Sequence, residues 1–178
     1  HEALAHGVGG LGGRRGDRVA NLVGAPGNDV RTRITQVRRL DDAQFKTAWS
    51  RRIISAKMKA QRRLIARALL ERPDLRKPLF DALATLDRCL ARLPEATHVD
   101  SLRGFEGAAA AAYFRAYPCL FPKALGFNQR KRRPPPDPVN ACLSLGYTML
   151  YGMALESCHA RGLDPMLGYL HGPCHGRA

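Results

Sequence analysis

The 178-residue chain reads as a mainly all-α protein: a helical domain over residues 37–178, preceded over residues 1–36 by the remnant of a β-rich domain and a linker. Three observations predict this. From Asp41 onward apolar residues recur at helical spacing, and the periodic stretches end at proline or glycine. Eight of the first 27 residues are glycines, with only short apolar clusters such as residues 19–23, as in strands and turns. Apolar residues make up 45% of the chain, which is enough to close a core and excludes a wholly disordered basic tail.

In chain order, Gly7-Val8-Gly9-Gly10-Leu11-Gly12 matches the dinucleotide fingerprint G-x-G-x-x-G. That motif carries meaning only between a strand and a helix, and Gly13-Arg14-Arg15-Gly16 is no helix start, so it reads as a glycine turn. Asp41 or Asp42 caps a long helix that runs to Glu71, where Arg72-Pro73 stops it. On a 100° wheel Trp49, Ile53, Ile54, Met58, Ala60, Leu64, Ile65 and Ala68 share one half, and Arg51, Arg52, Lys59, Arg62, Arg63 and Arg67 the other. Lys57 falls within the apolar arc, where it either snorkels or reaches an acidic group or a phosphate. A second helix spans residues 75–93, ahead of Pro94. A third starts between Thr97 and Asp100 and runs to Tyr117, where Pro118 ends it. A basic, proline-rich loop follows over residues 127–138. The fourth helix covers residues 139–161, with Gly162 as its C′ residue. A short, strand-like apolar run over residues 167–171 ends in Gly172-Pro173. No internal repeat is present.

The 29 Lys and Arg residues against 15 Asp and Glu give a net charge of +14 and a pI near 10.4. Such a domain is expected to bind a polyanion, because each cation that meets a phosphate releases a counterion. The basic residues are spread over several segments rather than one amphipathic tail, which favours nucleic acid over a membrane surface. No apolar run approaches the ~20 residues of a bilayer span. Five scattered cysteines, an odd number, suit reduced thiols in a cytoplasm better than a disulfide framework. The chain begins at His1 with neither an initiator Met nor the apolar stretch of a signal peptide, so it is expected to be cut from something longer.

Four constellations could carry chemistry. Glu106 lies mid-helix between Gly104 and Gly107, each of which weakens a helix by ~1 kcal/mol relative to alanine. Either these glycines let a backbone, metal or nucleic acid approach the carboxylate, or they belong to a small-residue packing seam with the alanines that follow. Asn140, Ser144, Tyr147 and Tyr151 form one polar stripe on the fourth helix, fit to line a cleft or to satisfy buried groups. Arg130, Lys131, Arg132 and Arg133 are four adjacent cations stiffened by the prolines behind them, suited to a mobile phosphate-binding arm. His171 closes the last apolar run. With Cys158, His159, Cys174 and His175 it offers zinc donors, although their spacing fits no usual zinc pattern.

The phrases Arg103-Gly104-Phe105-Glu106-Gly107, Arg130 to Pro136, Asp137-Pro138-Val139-Asn140-Ala141-Cys142-Leu143-Ser144-Leu145-Gly146-Tyr147, Leu150-Tyr151-Gly152 and Gly162-Leu163-Asp164-Pro165 through Gly168-Tyr169-Leu170-His171 together resemble the CRISPR-associated endonuclease/integrase, the catalytic subunit of spacer acquisition. Gln36 and Ala56-Lys57-Met58-Lys59-Ala60-Gln61-Arg62 resemble its first long helix, so the likeness runs in order from Gln36 to Ala178. The resemblance implies an N-terminal β-rich domain and a helical catalytic domain. It further implies a homodimer that joins a small ferredoxin-like partner protein, and transesterification of DNA 3′ ends into a CRISPR repeat with Mn²⁺ or Mg²⁺. By the same resemblance Glu106 and His171 are metal ligands and Tyr151 is an active-site residue. Arg130, Lys131, Arg132, Arg133, Asn140, Lys57 and Arg62 lie along the DNA. The family's third ligand, an aspartate, would fall beyond Ala178, as would the domain's last helices. The reading is therefore a metal-dependent DNA endonuclease/integrase, and the alternative is a non-catalytic basic helical nucleic-acid-binding module.

Overall fold

The computed structural model describes residues 30–171, and every α-helix expected from Asp41 onward is present. Helix α1 spans Val30–Arg38, α2 Ala43–Glu71, α3 Arg76–Arg92, α4 Val99–Ala116 and α5 Pro138–Ala160, with short 3₁₀ turns at Pro73–Leu75, Leu93–Glu95, Tyr117–Leu120 and Lys123–Leu125. No strand occurs among the described residues, and none of their helices is long and apolar enough to cross a membrane. The glycine-rich start, including the G-x-G-x-x-G match, lies outside the described residues.

The stops act as their chemistry demands. Asp42 is the N-cap of α2: its carboxylate accepts the Phe45 N–H at 2.8 Å. That bond and the Arg39 guanidinium hold its carboxyl below the usual aspartate range. Asp137 caps α5 in the same way through Asn140 N–H, with Pro138 in the first turn, where a missing N–H costs nothing. At the other end of α5 Gly162 takes φ +68°. Leu163 N–H then reaches Cys158 O at 2.9 Å and Gly162 N–H reaches His159 O at 3.0 Å, a Schellman closure.

Helices α2, α3 and α4 pack on one another around Ile54, Met58, Ile65, Leu79, Leu86, Leu102, Ala109 and Ala116. Alanines at 109 and 116 let α4 approach closely, so the alanine run serves partly as a packing seam. The buried stripe of α2 is narrower than its apolar arc: Thr47, Ser50, Ile54, Met58 and Ile65 are inside, whereas Trp49, Ile53 and Leu64 are exposed. Neighbouring helices cover only one side of it, and Trp49 instead stacks on Phe45 and carries Arg52 over its ring.

The structure departs from the sequence reading in two places. Residues 30–36, which fall in the segment read as the remnant of a β-rich domain and a linker, belong to α1. That helix buries a polar side chain, Gln36, and leaves Val30, Ile34 and Val37 exposed, so no apolar stripe announces it. Residues 167–171 are turns and bends rather than a strand. They are held from α1: the Gln36 amide donates to Asp164 O at 2.8 Å and accepts from Asp164 N–H at 2.8 Å, and Tyr169 O–H donates to Gln36 O. Tyr169 also meets Phe45 edge-on, and Leu170 packs on the core, so His171 is delivered beside α4.

Candidate active site and nucleic-acid surface

Glu106 projects from the middle of α4, and across from it the Lys57 ammonium on α2 donates to its Oε1 at 2.5 Å. The lysine therefore reaches an acidic group, one of the outcomes open to it in the sequence. The Glu106 side chain is 21% exposed and that of Lys57 46%, so the pair sits at the rim of the bundle rather than inside it. One turn before Glu106, Arg103 places Nη2 3.2 Å from His171 Nδ1 and Nη1 3.2 Å from Asp100 Oδ1. A guanidinium has only donors to offer, so the Nδ1 contact uses the imidazole lone pair. Helix spacing sets Arg103 and Glu106 on one face, and the two candidate ligands lie against α4, each held by a cation of the chain.

A Cβ added at Gly104 or Gly107 would meet no atom within 4 Å. Both glycines therefore border open space, Gly107 next to Glu106 and Gly104 toward the opposite side of the helix. The packing-seam reading fits Ala109 and Ala116 but not these two positions.

The basic loop is more tightly organised than a mobile arm. Asn140 is fully buried and ties the loop to the start of α5: its Oδ1 accepts Lys131 N–H at 2.8 Å and Arg130 Nη1 at 3.0 Å, while its Nδ2 donates to Gln129 O and Asp137 Oδ2. Arg130 also donates to Ser144 Oγ at 3.2 Å and lies over the Tyr147 ring. All the polar atoms of Asn140, expected along the DNA, are bonded inside the fold. Its role is to shape the loop. Arg130 is half-buried in the same network, while Lys131, Arg132 and Arg133 remain exposed. Arg62 is likewise engaged, in an ion pair with Asp87 of α3 that raises its own pKa.

Tyr151 is exposed on α5 and forms no hydrogen bond with Glu106 or His171. Of the polar stripe, Asn140 and Ser144 meet Arg130 and Tyr147 stacks beneath it, leaving Tyr151 apart. Below them an apolar groove of about 480 Å³ runs between Tyr117, Phe121 and Leu125 on one side and Val139, Leu143 and Leu150 on the other. Burial pushes the Tyr113 and Tyr117 hydroxyls above the ordinary tyrosine range, helped at Tyr113 by Tyr117 and at both by Tyr147. Burial raises the Cys89 thiol too.

Among the described residues no three His, Cys, Asp or Glu side chains converge on one point. Cys158 and His159 end α5, while the other proposed zinc donors, Cys174 and His175, lie outside the described residues. Sequence reasoning missed Arg103 and Gln36 as parts of the site. Arg103 lies three residues before Glu106 and so on its face, a signal that was available. The pairing of Gln36 with Asp164 spans 128 residues and leaves no local trace.

The basic helical bundle with Glu106 and His171 against one helix now has a family to set it in. Residues 11–178 match the family described as CRISPR associated protein Cas1, and the chain belongs to that family. Among curated relatives, the CRISPR-associated exonuclease Cas4/endonuclease Cas1 fusion of Rhodospirillum rubrum is 39% identical over 142 residues, covering 76% of this chain and 24% of that protein. The CRISPR-associated endonuclease Cas1 3 of Thermus thermophilus is 34% identical over 162 residues, covering 91% of this chain and 46% of that protein. A solved chain of a partial Cas6-RT-Cas1–Cas2 complex superposes with a TM-score of 0.72 at 32% identity, over 85% of this chain and 44% of that one. The chain thus spans less than half the length of these relatives.

Proposed function

We propose that the protein carrying this chain is a metal-dependent DNA endonuclease/integrase of CRISPR adaptation, which joins DNA 3′ ends into a CRISPR repeat by transesterification. The observation that carries the reading is that α4 presents the Glu106 carboxylate while Arg103, one turn earlier, contacts the His171 imidazole, with open space at Gly107. A carboxylate oxygen with an imidazole nitrogen is a donor set that suits Mn²⁺ well and Mg²⁺ less so, and each of these side chains already attracts a positive group of the chain. Glu106 and His171 would hold the metal, with further ligands from elsewhere in the protein. Once bound, it would polarise the target phosphate and lower the pKa of the attacking hydroxyl.

The chain's own residues account for the rest. The open space at Gly107, next to Glu106, leaves room for a phosphodiester to approach the carboxylate. The exposed Lys131, Arg132 and Arg133, on a loop shaped by Asn140, would bind the phosphate backbone without reading bases. Gln36 and Tyr169 fix the segment that presents His171. Tyr151, on the exposed side of α5, would act only once DNA or another part of the protein closes over that helix. The related structure contains Cas2. For this protein we propose the corresponding assembly of a homodimer with a small ferredoxin-like partner, working in the cytoplasm.

The test is strand joining of a branched DNA duplex by the whole protein with Mn²⁺ or Mg²⁺. Glu106→Ala and His171→Ala should each lower joining by at least ~100-fold, the scale expected when a group acting on the transition state is removed, and should leave DNA affinity within about twofold. Retained joining in either variant removes that residue from the site. Binding without joining under any divalent metal would instead make the chain a non-catalytic DNA-binding module.

A further inference from the structure

We propose that Lys57 and Arg103 are built-in counter-cations, which occupy the two metal ligands until DNA draws them away. The inference rests on Glu106 and His171 being ligands, and adds what controls their loading.

The Arg103 contact is the more exclusive of the two. A guanidinium 3.2 Å from Nδ1 requires the lone pair of that nitrogen. A metal bound at Nδ1 would take the same lone pair. A metal bound at Nε2 would require the proton on Nδ1, turned toward a group that has only N–H to offer. On either nitrogen, coordination breaks the Arg103 contact. Lys57 competes through charge instead. Its ammonium sits 2.5 Å from Oε1, so a divalent ion on the same carboxylate would lie within a few ångströms of it, and the half-buried setting of Glu106 limits solvent screening. A metal on His171 therefore displaces Arg103, and Lys57 opposes a divalent ion on Glu106 by its charge.

Incoming DNA supplies the place for them to go. The Lys57 and Arg103 side chains are 46% and 43% exposed, so a phosphodiester that approaches Glu106 can reach both. Transfer of the two cations to phosphate frees the ligands, so metal and DNA should bind each other's complex more tightly than either binds alone, by linkage. Without DNA the carboxylate and imidazole stay held in place and metal binding is weak. Arg103 keeps a second partner in Asp100, which retains it nearby after His171 is released.

The experiment is direct titration of the whole protein with MnCl₂, reading free Mn²⁺ by electron paramagnetic resonance, at low salt, with and without a DNA duplex whose 3′ ends are blocked. Lys57→Met and Arg103→Met should each bind Mn²⁺ about 3- to 10-fold tighter than wild type without DNA, because a positive charge has been removed from beside the ligand. Lys57→Arg, which keeps the charge, should match wild type. Duplex should tighten Mn²⁺ binding by wild type but not by the Lys57→Met/Arg103→Met double variant. Glu106→Ala provides the separate check. If it binds Mn²⁺ as wild type does, Glu106 is no ligand and the functional reading fails with this one. If Glu106→Ala loses Mn²⁺ while Lys57→Met or Arg103→Met binds as wild type or more weakly, the counter-cation proposal alone is overturned.

Discussion

Helices α2 and α5 are both long, and α5 is the more apolar of the two, yet their surroundings are opposite. Helix α2 sends Ile54, Met58 and Ile65 into a core shared with α3 and α4. Helix α5 buries only Val139 and Asn140 among the described residues, and Leu145, Met149, Leu150 and Met153 are all more than half exposed. Apolar content does not by itself decide burial, which also depends on having a neighbour against which to exclude water. Within the described residues α5 is held by its ends instead: the Asp137 cap, the Asn140 clamp and the Schellman closure at Gly162.

That contrast can be broken most directly by truncating one residue on each side. Leu86→Ala or Ile65→Ala, both fully buried, should destabilise the protein by about 2–5 kcal/mol in chemical denaturation. Leu145→Ala or Met149→Ala should stay within about 0.5 kcal/mol, as for a surface position. A core-sized effect at Leu145 would show that α5 is covered in the protein tested.

Asn140 tests whether α5 is indeed held from its end. Asn140→Ala leaves Lys131 N–H and the Arg130 guanidinium short of an acceptor, at a cost of about 1–3 kcal/mol. Faster tryptic cleavage at the basic loop should accompany it. Unchanged cleavage would mean that the prolines alone hold the loop.

Gly104→Ala separates stability from function within the packed helices themselves. Its Cβ meets nothing, so helix propensity should raise stability by about 0.5–1 kcal/mol, read as a higher denaturation midpoint. If the open space serves DNA, joining activity should fall in the same variant. Unaltered joining would mean that the space is not used.

The smallest effect concerns the cations on the two sides. Lys131→Gln with Arg132→Gln should flatten the salt dependence of DNA binding, by up to ~0.9 in the log–log slope for each phosphate that is no longer neutralised. Arg62→Gln should change that slope far less, because its charge is already paired with Asp87. Equal changes would return Arg62 to the DNA surface.

Much of this was legible in the sequence because it depends on local chemistry. Asp42, Pro118, Asp137 and Gly162 act on backbone groups within a few residues of themselves, so helix ends could be placed to within a residue or two. Glu106 between two glycines and His171 after its apolar run are visible as unusual for the same reason. The partners of Asn140 are not legible, because its type and stripe position show that it can form hydrogen bonds but not with what. Helix α1 escapes notice because its anchor is a polar side chain rather than a periodic face.

By itself, then, the amino-acid sequence determined the helical class, the ends of the helices, the strong positive charge and the family. These follow from composition, short-range capping and ordered motifs. Tertiary structure alone decided which face of α2 is buried, that Lys57 meets Glu106 across 49 positions, that Arg103 meets His171 across 68, and that Gln36 holds the chain before His171. Those contacts form only after packing brings distant segments together, and no local propensity encodes which of many cations will face which acid.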